Sequence, residues 1–340
     1  MLYFRYSLKT GLTFSGAIFF FSFTLLWTKP KSDFTYHRFS ERCMGTNFNL
    51  LIDHENEKFA RIAAEKALSE AHRLDRILSD YDSESELSKL SQNSGSSKYF
   101  SLSHDLFSVL EESDELAVET DGAFDITVGP FSRLWRIARF KKTLPSNSKL
   151  LQARKRVGYK KLKIDREKKM IKLDASAMVL DLGGIAKGYA ADQMLKILQN
   201  LNVRRVLIDA GGDILLGDPP RGKDGWRIEI GGSAHPDLPT LTISNTAVAT
   251  SGDFEQSITL GGKTFSHLIN PFTGLGLTSQ SQVTVVAPTA MEADSLASAC
   301  LVLGPIKGFN ILETKQNVRA YFLKKEEKET MLFTSKMKNK

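Results

Sequence analysis

Cysteine is nearly absent from this chain. Its 340 residues include two, Cys43 and Cys300, which fit neither a zinc-ligand spacing nor a CxxC redox pair. Two separate buried thiols are the expectation. A chain of this length can bury a core without a disulfide or metal staple. An excess of charge is also missing where it would count. Residues 1–32 carry four basic side chains and no acid, and residues 324–340 carry six lysines against three glutamates. The span 33–323 balances 36 basic against 36 acidic residues, so the formal +7 belongs to the two ends. A body without net charge offers no footprint for a polyanion, which excludes nucleic acid as the partner. No internal repeat is visible, which excludes solenoids and propellers.

What the sequence does have begins with an apolar run. GLTFSGAIFFFSFTLLW, Gly11 to Trp27, is 17 residues without a charge, preceded by Arg5 and Lys9. It reads as a secretory signal or short membrane anchor. No small-x-small cleavage site follows and no lipobox cysteine closes it, so an uncleaved anchor is expected, with the body outside the cytoplasm. The division is then 1–32 anchor and start of a linker, 33–323 the body, and 324–340 a basic, frayed tail.

Within the body, Phe59, Ala63, Ala67, Ala71, Leu74 and Leu78 recur at helical spacing and predict one face of a helix over 57–78. Ser103 is placed to cap a second helix, with Leu106, Phe107, Leu110 and Leu116 inward and Gly122 as the break. Arg133 to Lys142 is a basic stretch, followed by a helix near 150–157. A helix after Gly184 points Met194, Leu195, Leu198 and Leu201 inward. Helices are also expected over 289–303 and 306–314. Strands are read at FNLLID, KLKID, MIKLD, on both sides of the Gly-Gly turn in RRVLIDAGGDILLG, and in the run from WRIEIGG to SQVTVVAP, with VRAYFL last. Strands and helices mix without a regular βαβ repeat, so the fold class is α+β, or irregular α/β, and not a barrel.

Four stretches carry possible chemistry. DLGGIAKGYAAD, Asp181 to Asp192, looks like a phosphate turn, yet Gly183, Gly184 and Gly188 miss the GxGxxG spacing, and Tyr189 and Ala190 replace the Lys and hydroxyl of a P-loop. What remains is a pair of glycines that permit close approach, before a helix N-terminus that suits an anion. A helix cap with packing glycines is the bland alternative. In MEADSLASAC, Asp294 and Ser298 are four apart, so on a helix their oxygens share a face and suit a hard cation such as Mg²⁺; a solvated helix face is the commoner meaning. In SHLINPFTG, His267 ends a strand before an Asn-Pro turn and could accept a proton, or serve as a structural hydrogen-bonder. In DGAFDITVGP, Phe124 could stack on a flat ring while Asp125 meets its polar edge, or be a core aromatic at a strand start.

Singly these are weak. In order along the chain stand CMGTNF, LSDYDSESELSKL, TDGAFDITVGP, DLGGIAKGYAAD, LIDAGGDI, AVATSGD, SHLINPFTG and TAMEADSLASACLVLG. Together they resemble the ApbE family of flavin transferases, FAD:protein FMN transferases, from about Phe39 to about Leu323. The resemblance implies an exported enzyme held at a bacterial inner membrane, with its body in the periplasm. It implies that FAD is cut at its pyrophosphate with Mg²⁺, that FMN passes to a threonine (sometimes serine) hydroxyl of a target protein, and that AMP leaves. The acceptor would be a flavin-carrying subunit of a membrane redox complex.

By position, the resemblance assigns Met44, Tyr81, Ala123, Phe124, Asp125, Asp181 and Lys187 to FAD contacts, with Leu268 beside the proposed base His267. The Gly184 carbonyl, Asp294 and Ser298 match the metal position. Ala297 stands where some relatives carry a second acid, so one carboxylate fewer is expected there. Thr250 and Ser251 are expected to line the same cleft. Hydrolysis of FAD to FMN and AMP is the alternative activity, and a non-catalytic flavin-binding protein is a more distant one.

Overall fold

Asn56 turns the chain into the first helix, α1 (Glu57–Leu78), by accepting the Phe59 amide on its side chain at 3.0 Å. Ala60, Ala63, Ala64, Ala67, Leu68, Ala71, Leu74 and Leu78 make its buried stripe. The bounds agree with the periodicity. Phe59, expected inward, is instead 38% exposed and leans on the His54 ring, because the buried stripe begins at its neighbour Ala60 and leaves Phe59 on the edge. The computed structural model describes residues 36–230, 238–252, 257–325 and 330–335. The apolar run of Gly11 to Trp27 lies outside the described residues.

The centre is an eight-stranded antiparallel sheet in the order β1 (Tyr36–Cys43), β2 (Thr46–Asp53), β6 (Val206–Ala210), β7 (Asp213–Leu216), β10 (Thr246–Gly252), β13 (Ser281–Ala287), β14 (Arg319–Lys325), β15 (Thr330–Thr334). Side chains alternate across it. Phe48, Leu50, Ile52, Ile208, Ala249, Val283, Val285 and Phe322 enter the main core. Val248, Val286, Leu216 and Tyr321 face the other way, onto a ribbon of β8 (Trp226–Glu229) and β9 (Thr240–Ile243). The main core is closed by α1, α6 (Ala186–Asn200) and α7 (Ala290–Leu312). Segment 330–334, read as tail in the sequence, pairs with β14 in register from Tyr321↔Thr334 to Lys325↔Thr330.

Beside this sheet lie α2 (Glu86–Gln92), α3 (His104–Glu119), α4 (Gly129–Lys141), α5 (Asn147–Arg154) and a small sheet of β3 (Phe100–Ser101), β5 (Met170–Leu173) and β4 (Leu162–Asp165). The Ser103 side chain caps α3 as expected, accepting from Leu106. The basic stretch proves to be helix α4. It starts on a Gly-Pro pair without a capping side chain, and Phe131, Trp135 and Ala138 form its inner stripe. Trp135 and Ala138 hold a hairpin, β11 (Ser257–Leu260) and β12 (Lys263–Ser266), through Leu260 and Phe265.

The helix pair expected over 289–314 is the kinked α7, broken at Gly304 (φ 74°, ψ 174°) before Pro305. Its length and apolar composition would let it cross a membrane, but it packs between sheet and helices as a core helix. Cys43 and Cys300 are free and buried, and burial pushes both thiols up to about 12. The mixed α+β class is what the structure shows.

Candidate active site at the start of the buried helix pair

Residues Asp181–Ile185 bend the chain into α6. Asp181 Oδ1 accepts the Gly183 amide at 3.0 Å, which fixes the bend. Neither Gly183 nor Gly184 takes a left-handed φ. Their smallness is needed for space. A Cβ at Gly184 would stand 2.8 Å from Ser298 Oγ and 3.6 Å from the Phe124 ring, and one at Gly183 would stand 3.1 Å from Asp181 Oδ1. One turn on, a Cβ at Gly188 would meet the Ala290 carbonyl oxygen at 2.3 Å, so α6 and the start of α7 touch backbone to backbone.

Each of these helices completes the other's first turn. Asp192 on α6 accepts the Ala290 and Met291 amides of α7, both at 2.9 Å. Asp294 on α7 accepts the Gly188 amide of α6 at 3.3 Å. First-turn amides have no partner within their own helix, and these two carboxylates supply one from across the interface. Asp294 and Ser298 are both buried on the face of α7 that meets the glycine bend.

Lys187 threads through the same corner. Its Nζ lies 3.3 Å from Asp294 Oδ2, 3.1 Å from Asp213 Oδ2 and 3.2 Å from the Gly183 carbonyl. Burial opposes its charge, but the two carboxylates outweigh burial and hold its pKa above the usual amine value. Burial and the neighbouring Asp213 push the Asp294 carboxyl up to about 7, against the pull of Lys187 and the Gly188 amide.

The donor set around Ser298 is all oxygen. Ser251 Oγ lies 3.3 Å from Ser298 Oγ, Gly184 lies close enough that a Cβ there would stand 2.8 Å from the same hydroxyl, and Asp294 is one turn away. Among the described residues no three His, Cys, Asp or Glu side chains cluster as a metal cage. One carboxylate with neighbouring hydroxyls suits a hard ion that keeps water and takes phosphate oxygens, which is the habit of Mg²⁺. Ala297 is fully buried and adds no donor, but Asp213, across Lys187, brings a second carboxylate into the corner.

Two cavities meet here. The first, of about 260 Å³, is lined by Tyr81, Ala123, Phe124, Asp125 and Asp181 among others, with Trp135 and Arg136. The second, of about 290 Å³, is lined by Lys187, Asp213, Thr250, Ser251 and Asp294 among others. Gly183, His267, Leu268 and Ser298 belong to both. His267 follows β12 directly and is exposed. Its loop is pinned by α4, since Trp135 Nε1 donates to the Gly274 carbonyl at 2.8 Å and the Phe131 ring fills the space beside Gly274 (φ 72°). Arg136 pairs with Asp80 at 2.6 Å and lies 3.8 Å from Asp181, with its guanidinium 3.8 Å above the Tyr81 ring.

The structure therefore gathers Tyr81, Ala123, Phe124, Asp125, Asp181, Gly184, Lys187, Thr250, Ser251, His267, Leu268, Asp294 and Ser298 around one double cavity. Met44 lines neither half; it takes a left-handed φ of 49° at the β1–β2 turn and packs on the core. Asp125 lines the first cavity, but its oxygens accept from Thr127 and from the Tyr159 amide, and burial raises its pKa. It acts there as a cap for the turn that follows. Sequence reasoning assigned nothing to Asp213, Asp80 or Arg136. Asp213 stands inside the noted Gly-Gly hairpin, but only the fold shows that it reaches Lys187.

A model of the ApbE family matches residues 44–322. The chain is 33% identical over 262 residues to the FAD:protein FMN transferase of Haemophilus influenzae, covering 72% of this chain and 73% of that one. It is 31% identical over 289 residues to the FAD:protein FMN transferase of Vibrio cholerae, covering 80% and 83%. Among solved structures, the flavin transferase ApbE from Vibrio cholerae superposes with a TM-score of 0.77 at 26% identity, covering 89% of this chain and 97% of that one. The apo form of the Pseudomonas stutzeri flavinyl transferase ApbE also gives 0.77 at 26% identity, covering 89% and 95%.

Proposed function

The chain belongs to the ApbE family, and from that membership we propose that it is a Mg²⁺-dependent FAD:protein FMN transferase. In this reading it attaches FMN through a phosphoester to a threonine or serine hydroxyl of an acceptor protein and releases AMP. The observation that carries the reading is the junction of the two cavities at Gly183, His267, Leu268 and Ser298. FAD has two heterocyclic halves joined by a diphosphate. Two cavities that share a wall of glycine, histidine and hydroxyl suit that shape, one half to each side and the diphosphate between.

Asp294, Ser298 and the Gly184 carbonyl would hold the cation, which when bound there would neutralise phosphoryl charge and favour departure of AMP. Lys187 adds a buried positive charge beside the diphosphate. Tyr81, under Arg136, and Phe124 offer faces for a flat ring. His267 takes the proton of the acceptor hydroxyl as that oxygen bonds to the FMN phosphorus. The phosphorus–oxygen bond to AMP breaks, and its electron pair leaves with AMP. We further place the body outside the cytoplasm, held at the inner membrane by Gly11 to Trp27, with a flavin-carrying subunit of a membrane redox complex as acceptor.

The test is to co-express the full chain with candidate acceptors and weigh them. An acceptor heavier by one FMN supports transfer. Free FMN and AMP beside an unmodified acceptor would establish the pyrophosphatase alternative instead. His267→Ala should slow transfer on the order of a hundredfold while FAD affinity, read by flavin fluorescence, stays within a factor of two or so. Equal losses in both would remove its role as base.

A further inference from the structure

We propose that the groove between α2, α4 and α5 is the docking site for an acidic segment of the acceptor polypeptide. The inference rests on the transferase reading above. From Ile126 to Ile164 the chain carries twelve lysines and arginines and no carboxylate, in a body whose overall charge cancels. This block forms α4 and α5, the turns around them and the start of β4. Between these helices and α2 lies a cavity of about 790 Å³, larger than either half of the reaction site.

Arg133, Lys149 and Arg156 line the groove, and none of the three forms an ion pair among the described residues. Its carboxylate, Asp80, is already taken by Arg136. The remaining lining is small hydroxyls such as Ser88 and Ser91, with apolar surface from Leu134 and Ile137. Ile137 is 50% exposed although it sits inside the concavity. Such a lining suits a polypeptide with carboxylates and a few apolar side chains.

The groove shares Asp80 and Tyr81 with the first reaction cavity, so a chain lying in it runs up to the flavin site. A reaction whose second substrate is a protein needs such a track, because the hydroxyl must be held in line with the phosphorus. A lipid surface is the other partner that basic and apolar residues attract. A flat bilayer cannot enter a concavity between three helices, which favours the polypeptide.

The test uses the full chain with FAD and Mg²⁺ and three fluorescein-labelled peptides of one length around a single threonine. One has Asp and Glu flanks, one Asn and Gln, one Lys. Anisotropy reads binding and mass reads FMN transfer. The acidic peptide should bind on the order of tenfold tighter than the neutral one, and this preference should fade as salt is raised. The triple variant Arg133→Glu, Lys149→Glu, Arg156→Glu should lose it, with FAD affinity and AMP release unchanged. The milder triple change to Gln should lose part of it and guards against misfolding of the first.

Equal binding of the three peptides, no binding of the acidic one, or an acid preference that survives both variants would overturn the groove. A fall in FAD affinity in the variants would make it part of the nucleotide site and overturn the proposal as well. So would variants that lose binding to phosphatidylglycerol vesicles while keeping the acidic peptide. If the acidic peptide binds as expected but FAD yields only free FMN and AMP with every peptide and protein acceptor, the transferase reading fails and the groove stands. Transfer to all three peptides with equal KM would do the reverse.

Discussion

On the α6–α7 side of the cleft, an added Cβ at Gly184 or Gly188 would stand 2.8 or 2.3 Å from atoms of the facing helix. On the α4–α5 side, Phe140 is 88% and Leu151 64% exposed. The first side is a closed corner in which the side chains of Asp181, Lys187, Asp192, Asp294 and Ser298 all meet partners inside the protein. The second is an open, basic rim that faces outward. Under the proposed function, the difference matches the two substrates. A small nucleotide and a metal need oxygens held to fractions of an ångström before they arrive. A protein acceptor needs area and charge, and tolerates a mobile surface. Substitutions in the corner should therefore cost much, and those on the rim little.

The largest effect is expected for Asp294→Ala. AMP release should fall on the order of a thousandfold and lose its dependence on Mg²⁺, measured by chromatography with and without EDTA, while the far-ultraviolet dichroism stays that of the parent. Mg²⁺-dependent release that survives the change would dissolve the distinction between corner and rim.

Next comes Asp192, behind the corner. Burial pushes its carboxyl up to about 6, against two accepted amides and Lys196. The folded chain then holds this proton more tightly than the unfolded chain. Its contribution to stability is therefore full below about pH 4 and is lost as pH rises through about 6. The stability of the parent minus that of Asp192→Asn should decline by roughly 3 kcal/mol between these limits, read by urea unfolding at each pH. A flat difference would mean that the two amides balance burial.

Gly188→Ala should destabilise by about 1–3 kcal/mol, since the methyl meets backbone and not a movable side chain. A thermal midpoint equal to the parent's would show that the helices can part without loss. The smallest effect is expected on the rim, where Phe140→Ser should stay within about 0.5 kcal/mol and leave AMP release unchanged. A large loss of release there would show that the rim reaches into the chemistry.

Much of this fold was legible in the sequence because period and caps are local signals. Asn56, Ser103 and Thr289 each accept an amide three residues on, and the helices they start were readable. Helix α4 escaped because it lacks such a cap and its basic residues hide the stripe of Phe131, Trp135 and Ala138. Strand β15 escaped because its lysine-rich setting looks solvated, while its backbone is satisfied by β14. At the site, Asp294, Ser298 and the Gly184 bend were readable as separate weak patterns, and the ordered resemblance joined them. Asp213 and Arg136 carry no pattern of their own. Their neighbours are 26 residues or more away in the chain (Asp213 to Lys187) or reach across elements (Arg136 to Asp80), so only folding reveals them.

The mutual capping of α6 and α7 bears on how the enzyme comes into being. Neither helix start is complete alone, because Asp192 and Asp294 each serve the opposite one. In the proposed reading the corner that takes the nucleotide therefore exists only where the two helices are docked, and neither segment by itself supplies it.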